Sequence, residues 1–404
     1  MKKIYSLLIL ALILPLTQLN AQEEKEEGFT FGGAVRYNLL STNYEGQSSS
    51  PLNTGFTWDT WRLNVDGSYA GVDLSFEYRW YPTFGTHFIH HGFLGYSFSD
   101  NIYMELGVTQ VPFGITTYAS HSWWFQGPYY VGLEDDYDMG INFDFTPSDK
   151  LKLSVAYFRQ AEPEGPYLDF GLGRYNVTFG NAGPGRYSYD ITPGSGGIYN
   201  EATESVDMVA ANIREINQFN VRLAYSLNES WEIGASGQFG GNYNAVQDEY
   251  DMSTALAGHL VGNFGNFNLK TEYVYYNYKA QSDAGEALDI VQMGAYGSAY
   301  NVASEASMYV AGLAYSIDVD WGPISNIQPY VDYTYVDKAN ENFYNTQHLI
   351  PGFLITAGKI YTYVDYAMGK NQPWLTNSFG TGLGQGLEDP AWNSRLNINI
   401  GYYF

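Results

Sequence analysis

The chain closes on Ser394-Arg395-Leu396-Asn397-Ile398-Asn399-Ile400-Gly401-Tyr402-Tyr403-Phe404. Leu396, Ile398, Ile400, Tyr402 and Phe404 take every second position, and mostly polar residues fill the gaps. Successive side chains of a β-strand point to opposite faces, so this stretch has one apolar face and one polar face. Such a strand needs an apolar medium on one side and a wet one on the other.

The same period runs through the rest of the chain. Phe29, Phe31, Val35, Tyr37 and Leu39 alternate with Thr30, Gly32, Ala34, Arg36 and Asn38. Leu74, Phe76, Tyr78 and Trp80 oppose Asp73, Ser75, Glu77 and Arg79, and Met139, Ile141 and Phe143 oppose Asp138, Gly140, Asn142 and Asp144. About sixteen such segments follow one another, from 29–40 to 393–404, each near the length that a tilted strand needs to cross a bilayer. Short links such as Gly67-Ser68, Gly265-Asn266 and Ala357-Gly358 alternate with long ones such as 111–136, 161–216 and 280–305. Two links depart from the alternation, a brief one at 82–85 and a stretched one at 318–326. The pattern predicts an all-β fold: a transmembrane antiparallel up-and-down β-barrel with short periplasmic turns and long extracellular loops. A soluble sandwich would show Greek-key links and a propeller a repeat of about 40–50 residues, and neither occurs.

Composition and the N-terminus agree. Lys2 and Lys3 precede an apolar run from Ile4 to Leu16, and Ala21 offers a small residue for cleavage. Residues 1–21 therefore read as a secretory signal peptide, 22–28 as a short periplasmic segment and 29–404 as the barrel. The chain has no cysteine, so neither disulfides nor thiolate metal sites enter. With 43 acidic against 19 basic residues and a net charge of −24, nucleic acid is excluded as a partner. The expected setting is the outer membrane of a Gram-negative bacterium. The expected partners are outer-membrane lipids, small hydrophilic solutes or ions, and the barrel-assembly machinery acting on the C-terminal Phe404.

Sixteen strands leave an aqueous channel. Parity assigns Arg36, Arg62, Arg79, Lys152, Arg222, Lys270 and Arg395 to its wall as basic lining. Asp73, Glu77, Glu105, Asp138, Asp144, Glu232, Glu272, Asp332 and Asp365 are its acidic lining. A wall carrying both signs sets a transverse field that orients polar solutes, although such residues also brace strands by pairing across them. Tyr103, Tyr330 and Tyr363 share that face and are suited to stacking on sugar rings. The 111–136 loop contains no Lys or Arg but holds Pro112, Phe113, Trp123, Trp124 and Tyr129. So many aromatic rings bury themselves, either by folding into the lumen as a constriction or by capping the mouth against other loops. Glu134, Asp135 and Asp136 end the loop as an acidic pore mouth, without the ligand spacing that would assign a metal.

His87, His90 and His91 look like a metal cluster until they are placed on a strand. His90 and His91 then face opposite sides, and His87 and His91 share a face about 13 Å apart. Gly380 to Gly386 misses the dinucleotide-binding spacing, and no nucleophile elbow occurs. No enzyme, cofactor or metal is expected.

Leu106-Gly-Val-Thr-Gln-Val-Pro-Phe-Gly114, a strand running into a Pro-Phe-Gly loop start, resembles the phosphate-selective porin O/P family. So does the hairpin from Thr146 to Phe158. The resemblance implies a sixteen-stranded homotrimeric porin whose phosphate preference rests on inward lysines and arginines, whereas the matching loop here has no basic residue. The expected function is passive diffusion of small hydrophilic solutes or ions, with modest cation preference from the acid excess. The alternatives are a substrate-specific channel for an anion such as phosphate or for a sugar, and a barrel-anchored surface-binding protein using loop 161–216.

Overall fold

The computed structural model describes residues 27–44, 54–116, 118–164, 185–376 and 380–404. The signal peptide expected at 1–21, and 22–26 of the segment expected after it, lie outside the described residues. In chain order the first strands are β1 (Gly28–Thr42), β2 (Thr54–Tyr69), β3 (Val72–Tyr81), β4 (Thr86–Ser99), β5 (Ile102–Gln110), β6 (Tyr137–Ser148) and β7 (Leu151–Ala161). Next come β8 (Asp190–Ile191), β9 (Gly194–Asn200), β10 (Ser205–Ala211), β11 (Ile213–Asn228), β12 (Trp231–Asn244), β13 (Glu249–Phe264) and β14 (Phe267–Asn277). The last are β15 (Ile290–Ala295), β16 (Ser298–Ala303), β17 (Glu305–Tyr315), β18 (Ile317–Trp321), β19 (Ile324–Lys338), β20 (Thr346–Ala357), β21 (Ile360–Lys370) and β22 (Asn393–Tyr403).

Each wall strand pairs antiparallel with the next, β7 passes to β11, and β14 passes to β17. β18 continues β17 along β19, and β1 pairs with β22 to close a barrel of 16 strands. At the seam, Gly33 and Phe404 exchange backbone hydrogen bonds of 3.0 and 3.1 Å.

The polarity of this barrel is inverted relative to a water-soluble protein. Phe31 and Phe56 stand 80% and 71% exposed on the outer face, whereas Asp332, Asp365 and Asn397 are fully buried inside. Aromatic rows mark both ends of the outer face. Trp231, Phe264, Phe267 and Tyr315 contact one another in sequence at the short-turn end, and Tyr37, Phe56 and Trp58 cluster at the long-loop end. Such girdles sit at the two interfaces of a bilayer.

The turns differ in detail from expectation. The β2–β3 reversal lies at Ala70-Gly71, not at Gly67-Ser68, with φ of 52° and 77°. Two consecutive positive φ values suit the right-handed twist of a hairpin. Gly67 stays in the strand opposite Phe29, where a Cβ would collide with the Gly28 carbonyl. The stretched 318–326 link is mostly strand, reversing at Gly322-Pro323, and 82–85 contains a single 3-10 turn (Pro82–Phe84).

The long loops are not all irregular. β8, β9, β10, β15 and β16 form a second sheet from the 161–216 and 280–305 loops. It packs on an apolar core that lies inside the long-loop half of the barrel, including Phe88, Tyr129, Tyr130, Tyr187, Tyr189 and Tyr300. The described part of 161–216 is thus a packed layer. Tyr187, Tyr189 and Ile191 bury on it at every second residue.

Candidate pore and constriction

The period-2 register carries the charged wall residues inward, where they meet one another or the loop. On β1 to β3, Arg36 lies 3.1 Å from Asp59, and Glu77 accepts from Arg79 Nε with Arg62 at 3.5 Å. Arg62 and Arg79 stand directly opposite each other on β2 and β3, and Glu77 lies between their charges. Asp73 accepts from the Tyr103 hydroxyl at 3.2 Å, Glu105 from Thr109, and Asp144 from Ser154 at 2.5 Å. Asp138 accepts from Gln218 at 3.1 Å, and Glu232 lies 3.4 Å from Arg222. Below the loop, Glu105, Asp144, Lys152, Arg222, Glu232 and Lys270 line a cavity of about 680 Å³ that reaches the turn residues Glu229 and Ser230.

The 111–136 loop folds into the lumen. Pro112 and Ile115 roof the cavity. Arg222 Nε donates to the Gly114 carbonyl at 2.7 Å, and Lys270 Nζ donates to the carbonyls of Tyr118 and Ser120 at 2.7 and 2.9 Å. Asp332 accepts from the backbone N–H groups of His121 and Ser122, and Asp365 accepts from that of Trp123. Arg36 lies over the Trp123 ring at 4.2 Å and Arg395 over Trp124 at 4.7 Å. Phe113 and Tyr129 enter the apolar core. The loop therefore spans from β11 across to β1, fastened by wall charges of both signs. Tyr330 donates to Asp365 at 2.6 Å and Tyr363 lies 5.9 Å from Trp123, so both help seat the loop instead of presenting free faces.

Glu134, Asp135 and Asp136 are buried at the loop's end, not at an open mouth. Glu134 accepts from the Ala119 N–H at 2.9 Å, tying the loop to itself. Burial pushes the Asp135 carboxyl up to about 6, against the pull of the Tyr187 hydroxyl and Arg79. Glu134 rises well above the carboxylate range through burial and the nearby Glu272.

Two bulges place residues that alternation misassigns. β1 pairs Arg36 with Thr60 and Tyr37 with Trp58, so Asp59 is an extra residue and joins Thr60 on the inner face. β3 pairs Glu77 with His91 and Tyr78 with Ile89, leaving His90 as the extra residue. His90 and His91 consequently lie on the same face, with their Nδ1 atoms 2.9 Å apart, instead of on opposite sides. His87 is separated from them on the outer face, bonded to the Tyr78 hydroxyl at 2.7 Å. A bulge adds one residue and reverses parity beyond it. The available signal was energetic: an Asp beside Trp58 on a lipid face is costly.

No protein-family profile matches the chain, and no curated protein does. Solved structures do match. The outer membrane channel DcaP of Acinetobacter baumannii superposes with a TM-score of 0.56 at 11% identity, over 95% of this chain and 99% of that one. The anion-selective porin of Comamonas acidovorans gives 0.55 at 13%, over 94% and 100%. The trimer form of OmpT, an outer membrane protein of Vibrio cholerae, gives 0.53 at 11%, over 94% and 100%. Superposition over 94–95% of the chain, sixteen-strand closure and an apolar outer belt together make this chain a transmembrane β-barrel of the porin fold.

Proposed function

We propose that the chain is an outer-membrane porin passing small hydrophilic solutes or ions by passive diffusion, with the 111–136 loop as its constriction. The observation that carries this reading is the lumen itself. It is closed off from the bilayer by an apolar wall, lined with both charge signs, and hollow below a loop seated on the wall. Export through the signal at 1–21 and recognition of Phe404 by the barrel-assembly machinery fit such a protein. A homotrimer fits the trimer form of the Vibrio cholerae relative in fold.

Planar-bilayer recording tests it. Discrete, ohmic steps support the proposal, and a barrel that stays sealed over the full voltage range defeats it. Reversal potentials in a salt gradient then decide selectivity, for which the cavity's acids support a modest cation preference. The second reading is an anion channel of the phosphate-selective porin O/P kind. Its support is the direct opposition of Arg62 and Arg79, since like charges across a strand pair are destabilising unless something pairs with them. Among the described residues Glu77 is the one carboxylate in an ion pair with either arginine, and an anionic solute would complete the pairing.

A further inference from the structure

We infer that Asp136, Asp138 and Asp190, flanked by Glu162 and Glu215, form a buried Ca²⁺ site that clamps the constriction loop to the outer sheet and to three neighbouring wall strands.

One carboxylate oxygen from each of Asp136, Asp138 and Asp190 lies within 4.8 Å of the other two. Ligands on opposite sides of a Ca²⁺ ion stand about 5 Å apart, since each oxygen sits ~2.3–2.6 Å from the metal. One ion therefore reaches all three. The residues come from separate elements. Asp136 ends the constriction loop, Asp138 lies in β6, Asp190 opens β8, Glu162 follows β7 and Glu215 lies near the start of β11. β6, β7 and β11 are adjacent in the wall.

Their hydrogen bonding leaves several carboxylate oxygens without a donor. Asp138 accepts from Gln218 at 3.1 Å, Glu162 from the Ser188 N–H at 2.8 Å and Glu215 from the Ile191 N–H at 2.7 Å. These neutral donors orient the carboxylates without balancing their charge. Asp136 Oδ1, Asp138 Oδ1 and Glu162 Oε2 are buried and have no hydrogen-bond partner. The three residues are only 5%, 2% and 2% exposed. Buried polar atoms are rarely left so, because each unpaired one forfeits its hydration. Arg186, 2.8 Å from Asp190, is the one cationic side chain in contact with these five carboxylates among the described residues. An all-oxygen donor set with no His or Cys selects a hard cation, and Ca²⁺ takes six to eight such ligands in flexible geometry.

The test uses the full-length mature barrel folded in detergent and stripped with chelator. Calorimetric titration with CaCl₂ at pH 7.5 should show one saturable site per chain. Tb³⁺ bound there should emit under tyrosine excitation, because Tyr137 lies between Asp136 and Asp138 in the chain and Tyr189 directly precedes Asp190, and Ca²⁺ should quench that emission by displacement. Asp138→Asn with Asp190→Asn should weaken Ca²⁺ binding at least tenfold. If that variant fails to fold, the Tb³⁺ displacement in the wild type together with Glu162→Gln decides the matter. Ca²⁺ should also slow proteolysis within 185–211. A wild-type barrel taking up no calcium overturns the inference. Unchanged affinity in the variants overturns the site, and binding without protection overturns the clamp.

Discussion

Arg36, on the first wall strand, holds its guanidinium carbon 4.2 Å from the centre of the Trp123 ring in the 111–136 loop. The contact joins the wall to a segment that local sequence alone does not hold in place. A cation over an indole face contributes roughly 0.5–2 kcal/mol, the upper end when desolvated, and both groups are largely withdrawn from water here. Trp123→Ala should therefore loosen the loop without unseating it, since the Asp365 bond to the backbone N–H of residue 123 persists. Single-channel steps should grow and open-state noise should rise. Identical traces would mean that the indole plays no part in setting the bore.

Asp332 is a stronger fastening. It accepts from the N–H groups of His121 and Ser122 at 2.7 and 2.8 Å and from the His121 ring at 2.8 Å. Leaving a buried donor without its acceptor costs about 1–3 kcal/mol. Asp332→Ala should lower the temperature at which the folded gel band converts to the unfolded one, and it should raise conductance. Asp332→Asn keeps an acceptor oxygen and should fall between. A variant that melts and conducts like the wild type would show that the loop is seated without this carboxylate.

How much of this was legible in the sequence follows from range. Alternation is local and rigid, so it placed Arg36, Arg222 and Asp365 on the inner face from residue numbers alone. It failed at Asp59 and His90, where one inserted residue reverses parity; the cost of a carboxylate on a lipid face was the one hint, and only at Asp59. The inward fold of the loop was one of two open readings, because its partners Asp332 and Asp365 lie more than 200 residues away. The outer sheet was not legible at all: β15 pairs with β8 and β9 across some 100 residues, and short strands in loops carry little periodicity.

Glu77 holds together the basic side of the lumen. It meets Arg79, Arg62 and Asn64 at once while only 4% exposed. Removing one partner of a buried pair costs about 3–5 kcal/mol because the remaining charge is stranded. Glu77→Ala should therefore destabilise the barrel far more than the loss of any one surface acid, as read by heat conversion on gels. Adding Arg62→Gln should recover part of the loss, and no recovery would mean that the arginines are not the groups being neutralised.

Replacing both Arg62 and Arg79 by Ala strands the buried Glu77, so the folded fraction is isolated by gel before its selectivity is read. Two positive charges leave the lumen while Glu77 and Asp73 stay, so the local field becomes more negative. The reversal potential in a potassium chloride gradient should move toward greater cation preference. A shift toward anions, or none, would limit these residues to bracing the strands.

Gly114 makes the sharpest test of the loop's seat. Its φ is 55°, in the left-handed region, and a Cβ there would overlap Oε1 of Glu272. Its N–H donates to Ser236 Oγ at 2.8 Å while its carbonyl accepts from Arg222, so the residue is pinned to β12 and β11 together. Gly114→Ala combines a left-handed penalty of about 1–2 kcal/mol with a collision that only retreat of the loop or the carboxylate relieves. Gly265→Ala is the control, with a φ of 58° in an exposed turn and nothing within 4 Å of the new Cβ. Both substitutions carry the backbone strain, but only Gly114→Ala should enlarge the conductance and expose the 111–136 loop to protease. Equal effects would reduce the role of Gly114 to its backbone angle and remove the close approach to Glu272 as the reason a glycine stands there.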